Sequence, residues 1–145
     1  MPVVYFDASA FVKLLVDEAG SELATTLWDG CDAAVSSRLA YPEVRAALAA
    51  ARRNDDLEQE AFDQAEHSWE EFWRATRPVE FTPAVELHAG ELAAQHALRG
   101  ADAVHLASAL AISDPELIVA VWDRRLHAGA LAVRLGVAPL MLDPT

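Results

Sequence analysis

Cysteine and lysine are almost absent: Cys31 and Lys13 stand alone, the latter against ten arginines. One cysteine excludes an internal disulfide framework and a cysteine-based zinc site, and a lone reduced thiol suits a cytosolic setting. No apolar stretch reaches the roughly 20 residues of a membrane span. The N-terminal MPVVYFDASAF has no basic segment leading into a long apolar run, so no signal peptide is expected. These features predict a soluble, cytoplasmic protein. Positive charge is scarce as well, with 11 basic side chains against 23 acidic ones and a net charge of −12. That balance excludes the broad basic face of a nonspecific nucleic-acid binder. It leaves room for a nuclease, in which bound cations and a few arginines can meet phosphates, and it suits a basic protein partner. HExxH, Walker and GxGxxG motifs are missing, and so is the GxSxG elbow of a Ser–His–Asp hydrolase.

What is present is a 145-residue chain, 53% hydrophobic, without linker, repeat or low-complexity block. The expectation is a single domain, 1–145, with enough chain to build a core unaided. Short β-rich runs alternate with helical periods. VVYF (3–6), AAVS (33–36), Pro78 to Phe81, Leu117 to Trp122 and APLML (138–142) read as strands. Ala8 to Val16, Gly20 to Trp28, Arg38 to Arg53, Glu58 to Ala75, Pro83 to His96, Asp102 to Ile112 and Arg124 to Leu135 read as helices, the last stopped by Gly136. The aromatic face Phe62, Ala65, Trp69, Phe72 and Trp73 is expected to pack against a neighbouring helix or a partner. The alternation predicts an α/β fold with a mostly parallel sheet covered by helices. Sites in such sheets lie at the carboxyl ends of the strands.

Four acids occupy mostly apolar surroundings: Asp7 after VVYF, Asp123 after LIVAVW, and Glu43 and Asp102 within Ala-rich helices. Asp7 and Asp123 therefore fall at the carboxyl ends of two strands that are apolar on both faces. An isolated buried carboxylate is costly, and several together repel or hold protons. A hard divalent cation, Mg²⁺ or Mn²⁺, resolves this with oxygen ligands, and such clusters serve phosphoryl chemistry. Each acid also has a simpler role open to it. Asp7 and Asp123 can cap the helices that follow. Asp102 can face the dipole of a first turn, and Glu43 can be a solvated helix residue.

FDASAFVKLL, YPEVRAAL, GADAVHLASAL and VWDRRLHAGALAVRLGV, in that order, resemble the PIN-domain family and specifically its VapC-type toxin ribonucleases. The resemblance runs from Val4 to about Leu142. It implies a three-layer α/β/α sandwich around a parallel sheet. It also implies that Asp7, Glu43, Asp102 and Asp123 form the catalytic metal site, with Asp123 matching the family's most variable acid. Ser9 matches a small hydroxyl residue that orients Asp7 or binds water at the metal, with an ordinary capping serine as the simpler alternative. The activity implied is Mg²⁺- or Mn²⁺-dependent endoribonuclease cleavage by the toxin of a type II toxin–antitoxin system. The implied partners are an RNA substrate, a VapB-type antitoxin that places an arginine against the acids, and a second copy in a homodimer.

Beside that resemblance, the residues suggest supporting roles. His105 lies one helical turn after Asp102, on a similar face, where it can touch substrate, orient the acids or simply pack beside the sheet. The other histidines, His67, His88, His96 and His127, share no metal spacing and are expected at the surface. Arg38, Arg45, Arg99, Arg124, Arg125 and Lys13 are the available phosphate contacts. Two competing readings remain. One is a catalytically silent PIN-like module that binds RNA or protein. The other is a phosphoryl-accepting phosphatase, which wants a DxD pair where this chain has Asp7-Ala8-Ser9.

Overall fold

Alternate residues of the VVYF run face opposite sides of a sheet. In β1 (Val3–Phe6), Val4 and Phe6 join one buried apolar cluster and Tyr5 joins the other. That is the period-two pattern of a strand covered on both faces. The computed structural model describes residues 2–144. Met1 and Thr145, the ends of the expected 1–145 span, lie outside the described residues.

The remaining strands are β2 (Ala33–Ser37), β3 (Arg77–Val79), β4 (Ile118–Ala120) and β5 (Gly136–Ala138). They form one sheet in the order β3-β2-β1-β4-β5, and every pairing is parallel. The helices are α1 (Ala8–Leu15), α2 (Ser21–Gly30), α3 (Ala40–Arg53), α4 (Gln59–Arg74), α5 (Pro83–His96), α6 (Gly100–Ala111) and α7 (Arg124–Ala132). The first four pack with Val4, Phe6 and Ala120 on one face, and the last three pack with Tyr5, Val119 and Val137 on the other. This is the three-layer α/β/α sandwich around a parallel sheet.

The aromatic face of α4 turns inward. Trp69 is fully buried, and its ring centroid lies 4.8 Å from that of Phe11 on α1 and 5.9 Å from that of Tyr41 on α3. Of the two roles expected for this face, packing against neighbouring helices is the one observed.

Several boundaries differ from expectation, for local reasons. The last strand is Gly136–Ala138, not residues 138–142. Pro139 has no N–H to extend a ladder, and Leu140 and Met141 beyond it are largely exposed. Gly136 opens that strand rather than stopping a helix. A Cβ there would come within 3.1 Å of the Leu117 carbonyl oxygen. Helix α7 ends earlier, at Ala132, and Arg134 takes the left-handed turn at φ 64°. On the edge strand β3, pairing stops at Val79 because the chain turns to place Thr82, whose hydroxyl accepts the Val85 amide and caps α5. Helix α6 starts at Gly100, two residues before the expected Asp102.

Candidate active site

β1 and β4 are hydrogen-bonded neighbours, with Phe6 beside Ala120. Their parallel register delivers Asp7 and the residues leading to Asp123 to the same end of the sheet, where the Asp7 amide reaches the Ala120 carbonyl at 3.4 Å. Both aspartates cap the helices that follow. Asp7 Oδ1 accepts the Ala10 amide at 3.0 Å, and Asp123 Oδ1 accepts the Leu126 amide at 3.0 Å. Capping and site formation therefore coexist, because one oxygen serves the helix while the carboxylate still lines the cleft. Glu43 lies in the first turn of α3 and Asp102 in the first turn of α6.

All four acids line one cleft of about 250 Å³, together with Ser9, Arg99, His105 and Leu126. Asp7 and Asp102 are buried, at 4% and 6% exposure, whereas the Glu43 and Asp123 side chains are about one-third open to solvent. Burial pushes the Asp7 carboxyl up to about 6, and the Asp123 charge acts in the same direction. The His105 ring, the Ser9 hydroxyl and the Ala10 amide pull it partly back.

Ser9 hydrogen-bonds to Asp7 and to the chain beyond β4. Its Oγ donates to Asp7 Oδ1 at 2.6 Å and accepts the amides of Trp122 at 2.8 Å and Asp123 at 3.3 Å. It thus ties the first acid to the chain that carries the last. His105, 3% exposed, sets Nε2 at 2.5 Å from Glu43 Oε1 and Nδ1 at 2.7 Å from the Tyr5 hydroxyl. Tyr5 is fully buried, and burial raises its phenol well above the usual pKa, so it stays a hydroxyl. Tyr5 is not among the site residues that the sequence suggests. Its signal was a hydroxyl-bearing aromatic inside an otherwise apolar strand, since a buried tyrosine O–H normally finds a partner.

Among the arginines, Arg99 alone lines this cleft among the described residues. Its Nε meets Asp102 Oδ2 at 3.1 Å and its Nη2 meets Asp123 Oδ2 at 3.2 Å. Arg38 pairs instead with Glu80, and Arg45 with Glu66. Arg124 and Lys13 line a separate groove of about 380 Å³ beside Trp122, where Arg124 donates to the Asp143 carbonyl. Arg125 borders another hollow, with His96 and Leu98. His127 departs from expectation. It is buried at 6% exposure, and its Nε2 donates to the Pro139 carbonyl at 2.8 Å, so it belongs to the packing of α7.

No three His, Cys, Asp or Glu side chains among the described residues converge as a closed metal-binding group. Within the cleft, Glu43 is paired with His105 Nε2, and Arg99 spans Asp102 and Asp123. The donor set nonetheless fits a hard cation. It consists of carboxylate oxygens around one cleft, and burial holds the carboxyl of the most buried, Asp7, above its ordinary range, a cost that a bound cation would offset.

The PIN domain family model matches residues 4–131. Two ribonucleases of Mycobacterium tuberculosis, VapC45 of strain CDC 1551 / Oshkosh and VapC49 of strain ATCC 25618 / H37Rv, are each 72% identical over 144 residues. Each comparison covers 99% of this chain and 100% of the relative. Among solved structures, a toxin–antitoxin complex from Klebsiella pneumoniae contains a similar chain. Its TM-score is 0.66 at 16% identity, covering 97% of this chain and 99% of that one. The match along residues 4–131 and the identity over nearly the whole length show that this chain belongs to the PIN domain family, among its VapC-type members.

Proposed function

We propose that this protein is an endoribonuclease dependent on Mg²⁺ or Mn²⁺, the toxin of a toxin–antitoxin pair, and that one domain spanning 1–145 carries the activity. The observation that carries this reading is the meeting of Asp7, Glu43, Asp102 and Asp123 in one cleft at the carboxyl end of the sheet. The relatives named ribonuclease VapC support it.

Asp7 and Asp102 would be the central ligands, with Glu43 and Asp123 completing the site directly or through water. Such an ion supplies Lewis-acid activation of water and offsets charge on the phosphoryl oxygens. The chain's own residues prepare that chemistry. Ser9 fixes one oxygen of Asp7, and the two caps fix the backbone that presents Asp7 and Asp123. Arg99 holds Asp102 and Asp123 together while no stronger positive charge is present, and at 58% side-chain exposure it is placed to meet a substrate phosphate. In a protein of net charge −12, that makes it the arginine best situated to hold RNA at the cleft.

A VapB-type antitoxin is the expected partner, in keeping with the toxin–antitoxin complex whose chain shares this fold. An antitoxin arginine entering the cleft would take the charge role of the ion by charge-assisted hydrogen bonding. A homodimer and a cytoplasmic location belong to the same reading. No helix among the described residues is long and apolar enough to cross a membrane.

The test is cleavage of RNA by the purified protein, with Mg²⁺ or Mn²⁺ and with a chelator. Asp7→Ala and Asp102→Ala should each abolish metal-dependent cleavage. Sequencing the RNA ends produced on brief expression, wild type against Asp7→Ala, identifies the target. Unchanged cleavage by a clean preparation of either variant overturns the proposal.

A further inference from the structure

We propose that Tyr5 is a positioning residue for Glu43, acting through the ring of His105. The proposal rests on Glu43 belonging to the metal site.

A continuous hydrogen-bonded chain crosses all three layers of the sandwich. It begins at the Ser37 amide at the end of β2, which donates to the Tyr5 hydroxyl at 3.1 Å. Tyr5 stands on the central strand β1, its ring edge-on to that of His105 at a centroid distance of 5.8 Å and an interplanar angle of 86°. The hydroxyl lies 2.7 Å from His105 Nδ1 on α6, and His105 Nε2 lies 2.5 Å from Glu43 Oε1 on α3. Helices α3 and α6 lie on opposite faces of the sheet, so this chain joins them at the carboxyl end of β1.

Counting hydrogens gives the chain a direction. The Tyr5 oxygen accepts from Ser37, lies beside the hydroxyls of Ser36 and Ser108, and has one hydrogen to give. Donated to Nδ1, that hydrogen makes Nδ1 the acceptor of the neutral ring, and the ring's own hydrogen must then sit on Nε2. Nε2–H is the atom facing Glu43. Tyr5 thereby supports, at Nδ1, the tautomer that can hold a carboxylate at Nε2, and the packing of both rings fixes where that carboxylate stands. A neighbour that orients a metal-binding side chain in this way commonly changes metal affinity about 10- to 100-fold when it is removed. Burial alone does not require this arrangement, because either tautomer of a buried histidine could be satisfied. The direction comes from the far end, where the Glu43 carboxylate only accepts and so faces the hydrogen of Nε2.

Tyr5→Phe keeps the ring and removes only the hydroxyl. Mn²⁺ binding to metal-free protein, read by electron paramagnetic resonance, should weaken by about tenfold or more. In a Glu43→Gln background, Tyr5→Phe should cause no further loss, because the group being positioned is already altered. Long-range ¹H–¹⁵N spectra of wild type should show the neutral His105 ring with its hydrogen on Nε2, and Tyr5→Phe should redistribute it. The spectra of wild type test the tautomer even if the variant folds poorly. Equal Mn²⁺ affinity in Tyr5→Phe, an undiminished extra loss in the Glu43→Gln background, or a neutral wild-type ring protonated at Nδ1 overturns the inference. If those results appear while Asp102→Ala loses Mn²⁺ binding, the metal-site reading stands and this inference alone fails. A wild type that binds no Mn²⁺ overturns both.

Discussion

Arg99 Nη2 lies 3.2 Å from Asp123 Oδ2, joining the start of α6 to the end of β4 across 24 residues of sequence. The same guanidinium reaches Asp102. It is therefore an internal cation over two of the four acids, and it would compete with a bound ion for their oxygens. Removing it should change binding and catalysis in opposite directions. Arg99→Gln is expected to tighten Mn²⁺ binding about 3- to 10-fold, from the loss of a like charge near the site in a partly solvated setting. RNA cleavage should nevertheless slow, with a higher KM. Calorimetric titration and initial rates check the pair, and parallel changes in the two would contradict the dual role.

Ser9 accepts two amides and donates to Asp7. Ser9→Ala leaves the Trp122 and Asp123 amides without that acceptor. Unfolding in urea should show a loss of about 1–3 kcal/mol, accompanied by slower cleavage. A variant as stable and as active as wild type would show that the hydroxyl links nothing.

Asp7 sets a pH dependence. Its carboxyl is held at about 6 in the folded chain by burial, above the ordinary range it regains on unfolding. Between those values the folded state binds more protons than the unfolded one, so stability is fully present below the unfolded pKa and falls as pH rises through about 6. Asp7→Asn removes this dependence. Without divalent metal at pH 7–8 the variant should be more stable than wild type, by about 1–3 kcal/mol, while lacking cleavage. Thermal melts from pH 4 to 8 test the sign, and a variant melting below wild type at pH 8 would refute it.

Gly20 precedes α2 at φ 98°, where a Cβ would lie 2.7 Å from Trp122 Nε1. Gly20→Ala must strain the backbone and displace that indole, so a loss of about 1–3 kcal/mol and a shift in tryptophan fluorescence are expected. Gly30→Ala is the matched control. A Cβ at Gly30 meets nothing within 4 Å, and the variant should melt within a few degrees of wild type.

Much of the fold was legible in the chain because its strands and helices announce themselves locally. VVYF has strand chemistry bounded by a capping aspartate, and Pro83 to His96 carries a Pro-led start behind Thr82. The less legible elements depend on a neighbour's geometry. APLML has strand-like composition, yet pairing ends at Ala138, where β4 runs out and Pro139 offers no donor. His127 looked like a surface residue until the fold of Pro139 over α7 buried it.

For the site, sequence alone determined which acids follow apolar strands and which begin helices, since hydropathy and capping chemistry are local properties. Only the tertiary structure decided that the acids share one cleft, that Arg99 bridges two of them, and that Tyr5 reaches Glu43 through His105. The bonds of Arg99 to Asp123, of His105 to Glu43 and of Tyr5 to His105 join residues 24, 62 and 100 positions apart. Parallel register and the packing of helices on both faces create them, and no window of sequence contains that information.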